Sequence, residues 1–133
     1  MNNDIKRRDT IIFGNYNPDR YFGGCARTDI PAKTLLKLYE EGFVNPDECQ
    51  NESPTTQEFL CDISGIEDNV VFEIYAIDDK RDDYRVTIEG IQVGLPIDKR
   101  MLFLRLATKY GYADEFHIWE DDNENLRLRA WWD

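Results

Sequence analysis

The second half of the chain alternates apolar and polar residues in four segments, which is the two-residue period of a β-strand. Residues 69–78 are rich in β-branched and aromatic side chains, and residues 84–93 follow them after a charged turn. Residues 116–119 and 126–132 repeat the alternation on either side of a second acidic turn. The pattern therefore predicts two β-hairpins.

The second of these strands changes its parity part of the way along. Tyr84, Val86 and Ile88 alternate with polar residues, but the next apolar residue, Ile91, falls on the opposite parity. Gly90 stands at the change. A glycine where the alternation shifts by one residue indicates a β-bulge or a strong bend, so we predict one there.

Three segments show the spacing of amphipathic helices. Residues 28–42 have leucines at helical intervals and a proline near the start, and residues 53–65 repeat this arrangement with Pro54 at the first position. Residues 96–111 form the clearest helix of the three. In each case a glycine ends the segment, which is typical of a helix C-terminus.

The first 25 residues give weaker patterns. Residues 1–8 are polar and charged, which predicts a flexible tail, and residues 10–13 resemble a short strand. Residues 21–25 contain two adjacent glycines and are predicted to be irregular. We therefore expect one α+β domain over residues 9–133: two N-terminal helices, then a ββαββ arrangement, with a mostly antiparallel sheet and the helices packed on one face.

Composition supports a folded domain and narrows its partners. A chain of 133 residues with 41 % hydrophobic residues is large and apolar enough to build a core without disulfides or metals. The net charge is −11, with 27 acidic and 16 basic residues. Such a charge disfavours nucleic acid and anionic membranes as partners, because both attract basic proteins.

The cysteines and the single histidine bear on location and cofactors. Cys25, Cys49 and Cys61 form no Cys-x-x-Cys motif, and His117 has no second histidine to complete a ligand pair. No apolar run follows the basic residues near the N-terminus, so no secretory signal is indicated. We therefore expect free thiols in a reducing cytoplasm, no membrane segment, no metal and no cofactor.

The acidic residues are concentrated in one part of the sequence. Residues 40–79 contain twelve aspartates and glutamates and no lysine or arginine. Such a window keeps a protein soluble, or steers a basic partner towards it. The leading hypothesis is a non-enzymatic interaction module of the inhibitor, immunity or phosphate-mimic type that engages a basic protein. The candidate binding residues are Glu40, Glu41, Asp47, Glu48 and Glu52.

Two other classes of function stay open. A small hydrolase or transferase would use Cys25 or Cys61 as nucleophile and His117 as base, although neither cysteine lies in a recognisable nucleophile motif. A sheet face carrying arginine and tryptophan would instead bind single-stranded nucleic acid or form a protein hot spot. The candidate residues of that face are Arg85, Arg127, Arg129 and Trp131.

Two further expectations concern the same sheet. The arginines have acidic neighbours of suitable parity in Glu73, Glu89 and Glu115, so ion pairing across strands competes with ligand binding. An exposed C-terminal strand carrying Trp131 and Trp132 would also allow two copies to form a dimer through a sheet edge.

Overall fold

The computed structural model describes all 133 residues and contains four α-helices and one five-stranded antiparallel sheet. The predicted α+β class is therefore confirmed. None of the helices has the length and apolar character needed to cross a bilayer. The strands lie in the order β1-β2-β3-β5-β4. The elements are α1 (Ile5–Phe13), β1 (Cys25–Pro31), α2 (Ala32–Glu40), α3 (Thr56–Asp62), β2 (Val70–Ile77), β3 (Val86–Pro96), α4 (Arg100–Tyr110), β4 (Glu115–Glu120) and β5 (Asn125–Trp131).

The sheet has one apolar face covered by the helices and an opposite, mostly polar face, which we call the open face. Part of the open face, at Tyr75 and Thr87, is buried under the loop that carries Glu48 and Gln50. Leu35 and Leu38 of α2, Phe59 of α3 and Phe103 of α4 belong to a single cluster of 24 buried residues that also includes the inward-facing residues of the strands. The apolar residues Ile11 and Ile12 of α1 pack against the same cluster. A half-covered antiparallel sheet explains why its strands alternate so regularly in sequence.

The predicted bulge lies in the central strand β3. Glu73 of β2 pairs with Gly90, whereas the next residue, Ile74, pairs with Ile88. Glu89 is therefore the extra residue, and the parity prediction is confirmed. Because of this insertion, the apolar residues of β3 on both sides of Gly90 point to the same face of the sheet, the one that the helices cover.

Two of the N-terminal predictions are wrong. Residues 5–8, assigned to a flexible tail, form the start of α1, where Asp4 caps the helix by accepting a hydrogen bond from the Arg7 N–H at 3.1 Å. Residues 10–13, predicted as a strand, complete the same helix. Arg8 is completely buried. The groups that bury Arg8, among them Tyr21 and Ile77, lie far from it in the sequence. The polar residues around Arg8 therefore do not indicate that its side chain is buried.

The β1 strand was missed, and the first two predicted helices begin later than expected. Residues 25–31 pair with β2, and α2 starts only after Pro31. A proline suits this junction, because it lacks the N–H that a continuing strand would donate. The following helix begins at Thr56, after Thr55, whose hydroxyl accepts the Glu58 N–H at 3.2 Å. Thr55 and Glu58 form a capping box, which places the start of the helix three residues after the predicted N-cap, Ser53.

The C-terminal strand is not a sheet edge. β5 lies between β3 and β4 and is paired on both sides. Trp132 is only 2 % exposed, and Trp131 is half-buried. The reason given for dimer formation is therefore wrong. The free edges are β1 and β4, and β4 exposes 56 % of Ile118 and 47 % of Trp119.

Arg8 forms the centre of a buried polar cluster. Its guanidinium lies 3.0 Å from Asp9 and donates to the Ile77 carbonyl at 2.8 Å and the Tyr21 hydroxyl at 2.7 Å. The Tyr21 hydroxyl in turn donates to Asp9, and the Tyr84 ring lies 4.6 Å from the guanidinium carbon. The cluster attaches α1 to the end of β2.

Replacing Arg8 is expected to be strongly destabilising. In Arg8→Leu the Asp9 carboxylate would stay buried without its cation, which costs about 3–5 kcal/mol of unfolding free energy. Urea unfolding followed by tryptophan fluorescence measures this loss. Lys6→Ala, an exposed change on the same helix, is the control. Equal stabilities of the two variants would contradict the structural role of the cluster.

The two glycines on the open face of β3 are expected to differ in their tolerance of a methyl group. At Gly90 an added Cβ would lie 3.1 Å from the Ala130 carbonyl and from the Glu73 side chain, so Gly90→Ala is expected to cost about 1–3 kcal/mol. At Gly94 the obstacle is only the flexible end of Arg127, so Gly94→Ala is expected to stay within about 0.5 kcal/mol of wild type. Urea unfolding compares them, and the reverse order would contradict the bulge geometry.

Candidate functional site

Two of the five predicted acidic binding residues form ion pairs within the molecule. The Glu41 carboxylate accepts two hydrogen bonds from the Arg7 guanidinium, both at 2.8 Å, and lies 3.3 Å from Lys37. Glu48 lies 3.3 Å from Arg85. Both carboxylates are half-buried and already compensated, so they contribute little to an external electrostatic field.

The other three predicted acids are exposed and form no ion pair. Glu40 lies at the end of α2, and Asp47 and Glu52 lie in the loop that leads to α3. Glu58 is also exposed without a cationic partner, although its carboxylate accepts the Thr55 N–H at 3.3 Å. Within the acidic window, these side chains carry most of the uncompensated charge.

One of these acids borders a depression of about 440 Å³ at the end of the sheet. No basic side chain lines it. We call it the acidic depression. Its carboxylates do not converge in the way that a metal ion would require. Its lining residues are Asn51, Glu52, Tyr112, Asp114, Trp132 and Asp133.

Hydrogen bonds around the acidic depression connect three separate parts of the chain. The Tyr112 hydroxyl donates to the Glu52 carbonyl at 2.7 Å, and the Asp133 N–H donates to the Asp114 carboxylate at 2.8 Å. The Asn51 side-chain amide donates to the Asp133 carbonyl. Asp114 and Asp133 lie far outside the acidic window, so sequence reasoning missed them. Only the folded chain brings them beside Glu52.

The floor of the acidic depression is aromatic. The Trp132 ring centroid lies 5.7 Å from those of Phe59 and Tyr112, and 6.0 Å from that of Tyr110. The Trp132 main-chain N–H donates to the Glu89 carbonyl at 2.9 Å, which places the residue at the β3 bulge. Its indole Nε1 is the only buried side-chain nitrogen or oxygen without a hydrogen-bond partner.

The electrostatics of Tyr112 reflect these surroundings. Burial is the largest effect and raises the pKa of its hydroxyl, and the carboxylates of Glu58 and Glu52 raise it further. The Trp132 indole lies close enough to lower this pKa in part, although it does not reach hydrogen-bond geometry with the hydroxyl. The tyrosine therefore stays neutral in a negative local field.

The predicted cysteine and histidine candidates are not brought together. Cys25 is half-buried in β1 and His117 lies in β4, at opposite edges of the sheet, roughly 19 Å apart at four strand spacings. Cys61 is exposed on α3, on the helix side of the sheet, whereas His117 lies on the open face beside Arg129. No cysteine–histidine pair forms.

The predicted arginine and tryptophan face is only partly assembled. Arg127, Arg129 and Trp131 share the open face as expected, but Arg85 lies apart, between Glu48 and Asp83. The basic groups on the face are paired with carboxylates. Arg129 contacts Glu73 through two hydrogen bonds of 2.7 Å and approaches Glu115 at 3.8 Å, and Arg127 contacts Asp121 at 2.6 Å. The expected cross-strand pairing of Arg129 is thus confirmed, whereas Glu89 pairs with Arg27.

Comparison with known proteins adds no relative. The sequence matches no known protein family and no curated protein, and no solved structure matches the fold.

The pairing of Glu41 is expected to be visible in its titration. The hydrogen bonds from Arg7 lower the pKa of Glu41 from 4.5 to about 2. In Arg7→Gln this pKa is expected to rise towards 4.5, because the strongest bonds to the charged form are lost. NMR titration of the glutamate side-chain carbons measures the change.

The same pair has a predictable effect on stability. Because the pKa of Glu41 is lower in the folded state, its stabilising contribution is present above about pH 4.5 and is lost as the pH falls towards 2. Arg7→Gln is therefore expected to lose stability near neutral pH but not near pH 2. An unchanged Glu41 titration in this variant would show that Arg7 does not lower this pKa and would contradict the pairing.

Proposed function

We propose that this protein is a non-enzymatic binding module that engages a protein with a basic surface. The acidic depression and the exposed acids Glu40 and Asp47 form the binding surface. The observation that carries the proposal is the depression itself, which contains three carboxylate residues and no basic side chain, whereas Glu41, Glu48 and Asp62 of the acidic window are paired with cations of the same chain. Its acids are Glu52, Asp114 and Asp133.

Electrostatics explain how such a surface would act. A concave region lined by one sign of charge concentrates the field and increases the rate at which an oppositely charged partner arrives. The net charge of −11 adds a long-range attraction for the same partner. Since salt screens exposed charges beyond about 10 Å at 0.1 M, association is expected to slow steeply with ionic strength.

The other functional classes have less support from the contacts. The cysteine candidates and His117 lie too far apart for nucleophile activation, and the arginines of the open face are engaged by Glu73 and Asp121. The three cysteines are free, which fits the reducing cytoplasm that forms part of this proposal.

A comparison of two triple variants tests the proposal. In the first, Glu40→Gln, Asp47→Asn and Glu52→Gln remove three uncompensated charges from the binding surface. Each immobilised protein is used to capture partners from nuclease-treated lysate of the native host, and the association rate of the captured protein is measured at several salt concentrations. We expect wild type to retain a basic protein that the variant loses, with a fall in association rate of about tenfold or more.

The control variant removes the same number of charges elsewhere. Asp98→Asn, Glu120→Gln and Asp122→Asn lie outside the acidic window and are all exposed. The control is expected to retain the partner at nearly the wild-type rate. Equal losses in both variants would show that only net charge matters, and retention of the partner by both would refute the proposed binding surface.

A further inference from the structure

We propose that two copies of this chain associate through the edge strand β4, in an antiparallel pair centred on Ile118. The two five-stranded sheets then form one continuous sheet, with the helices of both copies on the same side. β4 does not line the acidic depression, and the association does not depend on the proposed function.

The middle of β4 exposes apolar side chains on both faces of the sheet. Ile118 is more than half exposed and points to the helix side, since it lies opposite the buried Leu128 of β5. The helix α4 packs over β3 and β5 and leaves this part of β4 uncovered. Trp119 is almost half exposed and points to the open face. Covering both side chains therefore removes apolar surface from water.

The other free edge of the sheet is protected against pairing, whereas β4 is not. β1 carries Arg27 and Asp29 in its middle and ends at Pro31, which has no N–H. Charged side chains and proline are among the usual means by which natural sheets block contacts between edges. β4 contains no lysine, arginine or proline, and its glutamates stand only at its two ends. It is therefore the edge that is open to another strand.

The backbone hydrogen bonds of β4 determine which of its groups face outwards. The Asp121 N–H donates to the Asn125 carbonyl at 3.0 Å, so this pair is bonded directly across the hairpin. In an antiparallel ladder, bonded pairs alternate with unbonded ones, so the odd-numbered residues of β4 bond to β5. The backbone groups that point to the free edge are those of Phe116, Ile118 and Glu120.

One symmetrical register uses all three outward residues of both copies. In a two-fold antiparallel pair the axis is perpendicular to the sheet, so each face continues into the same face of the second copy. With the axis at Ile118, this residue lies opposite its own copy, and Phe116 lies opposite Glu120 of the second copy. Moving the axis to His117 or Trp119 leaves one outward residue of each strand opposite a residue outside β4.

The side chains fit the same register. On the helix side the two Ile118 side chains meet at the axis, and on the open face Trp119 lies opposite His117 of the second copy. Glu115 lies opposite Asp121, but these acids approach arginines of their own chain at 3.8 and 2.6 Å. The uncharged centre of β4 thus meets an identical uncharged centre, which makes a second copy the occupant that this edge fits.

Sedimentation equilibrium of the full chain over a range of protein concentrations tests the association. We expect a reversible equilibrium between a monomer of 15.7 kDa and a dimer of twice that mass. Each copy carries a net charge of −11, so added salt is expected to strengthen the dimer by screening the repulsion. This response is opposite to that expected for a basic protein partner.

Two matched lysine variants locate the contact. Ile118→Lys places two like charges opposite each other at the axis and is expected to weaken the dimer at least about a hundredfold. The side chain is exposed in the monomer, so the fold is retained, which circular dichroism checks. Phe22→Lys makes the same change at a residue that is 94 % exposed beside β1 and is expected to leave the dimer unchanged.

Single cysteines test the register. In Ile118→Cys the two Cα atoms lie about 5.5 Å apart across a bonded pair, which suits a disulfide. In His117→Cys the equivalent atoms are two residues out of step and about 8 Å apart, which is too far for a disulfide. We expect a covalent dimer on oxidation of the first variant only. The wild-type chain with its native cysteines gives the background.

The outcomes separate this association from the proposed function. A chain that stays monomeric at all concentrations and salt conditions, or a dimer that Ile118→Lys leaves intact, would overturn the dimer. A covalent dimer of His117→Cys alone would overturn the register. If a captured basic protein is lost by Ile118→Lys but kept by Phe22→Lys, β4 binds a strand of another chain, and the second copy is the wrong occupant. Partner capture that depends only on Glu40, Asp47 and Glu52 leaves the dimer to be decided by sedimentation alone.

Discussion

The one-residue insertion at Glu89 is the constraint on which both faces of the sheet depend. β3 is the central strand, and it pairs with β2 on one side and β5 on the other. A regular strand of its length would turn either its first or its last apolar residues towards solvent, because side chains alternate strictly between faces. The bulge corrects this, so that Ile88 and Ile91 both enter the core.

The same irregularity positions the candidate site. The pairing of β5 with β3 ends at Trp131, opposite Gly90. The next residue, Trp132, donates its main-chain N–H to the carbonyl of the inserted Glu89. The indole then packs on Phe59 of α3, and Asp133 reaches the loop that precedes this helix. The bulge that brings the apolar residues of β3 into the core thus also places Trp132 beside the carboxylates of Glu52, Asp114 and Asp133.

The distribution of charge in the sequence differs from its distribution on the surface. Every charged residue from 40 to 79 is acidic. In the structure, however, Glu41, Glu48 and Glu73 form ion pairs with arginines from outside this window. Conversely, Asp114 and Asp133 add to the field of Glu52 although the chain separates them widely. The uncompensated charge on the surface therefore comes from only some of the acids of the window, together with Asp114 and Asp133 from outside it.

The sequence by itself determined the α+β class, both hairpins, the bulge at Gly90 and the helix before β4, because these depend on short-range periodicity and on local backbone preferences. Only the tertiary structure decided α1, β1 and the site. Arg8 is buried because Ile77 and Tyr21 surround it, and residues 25–31 are extended because β2 offers them a free edge. Trp132 became the floor of a depression, and not part of an exposed strand, because pairing on both sides of β5 fixes the chain just before it. Such contacts join residues far apart in the chain, and no local pattern encodes them.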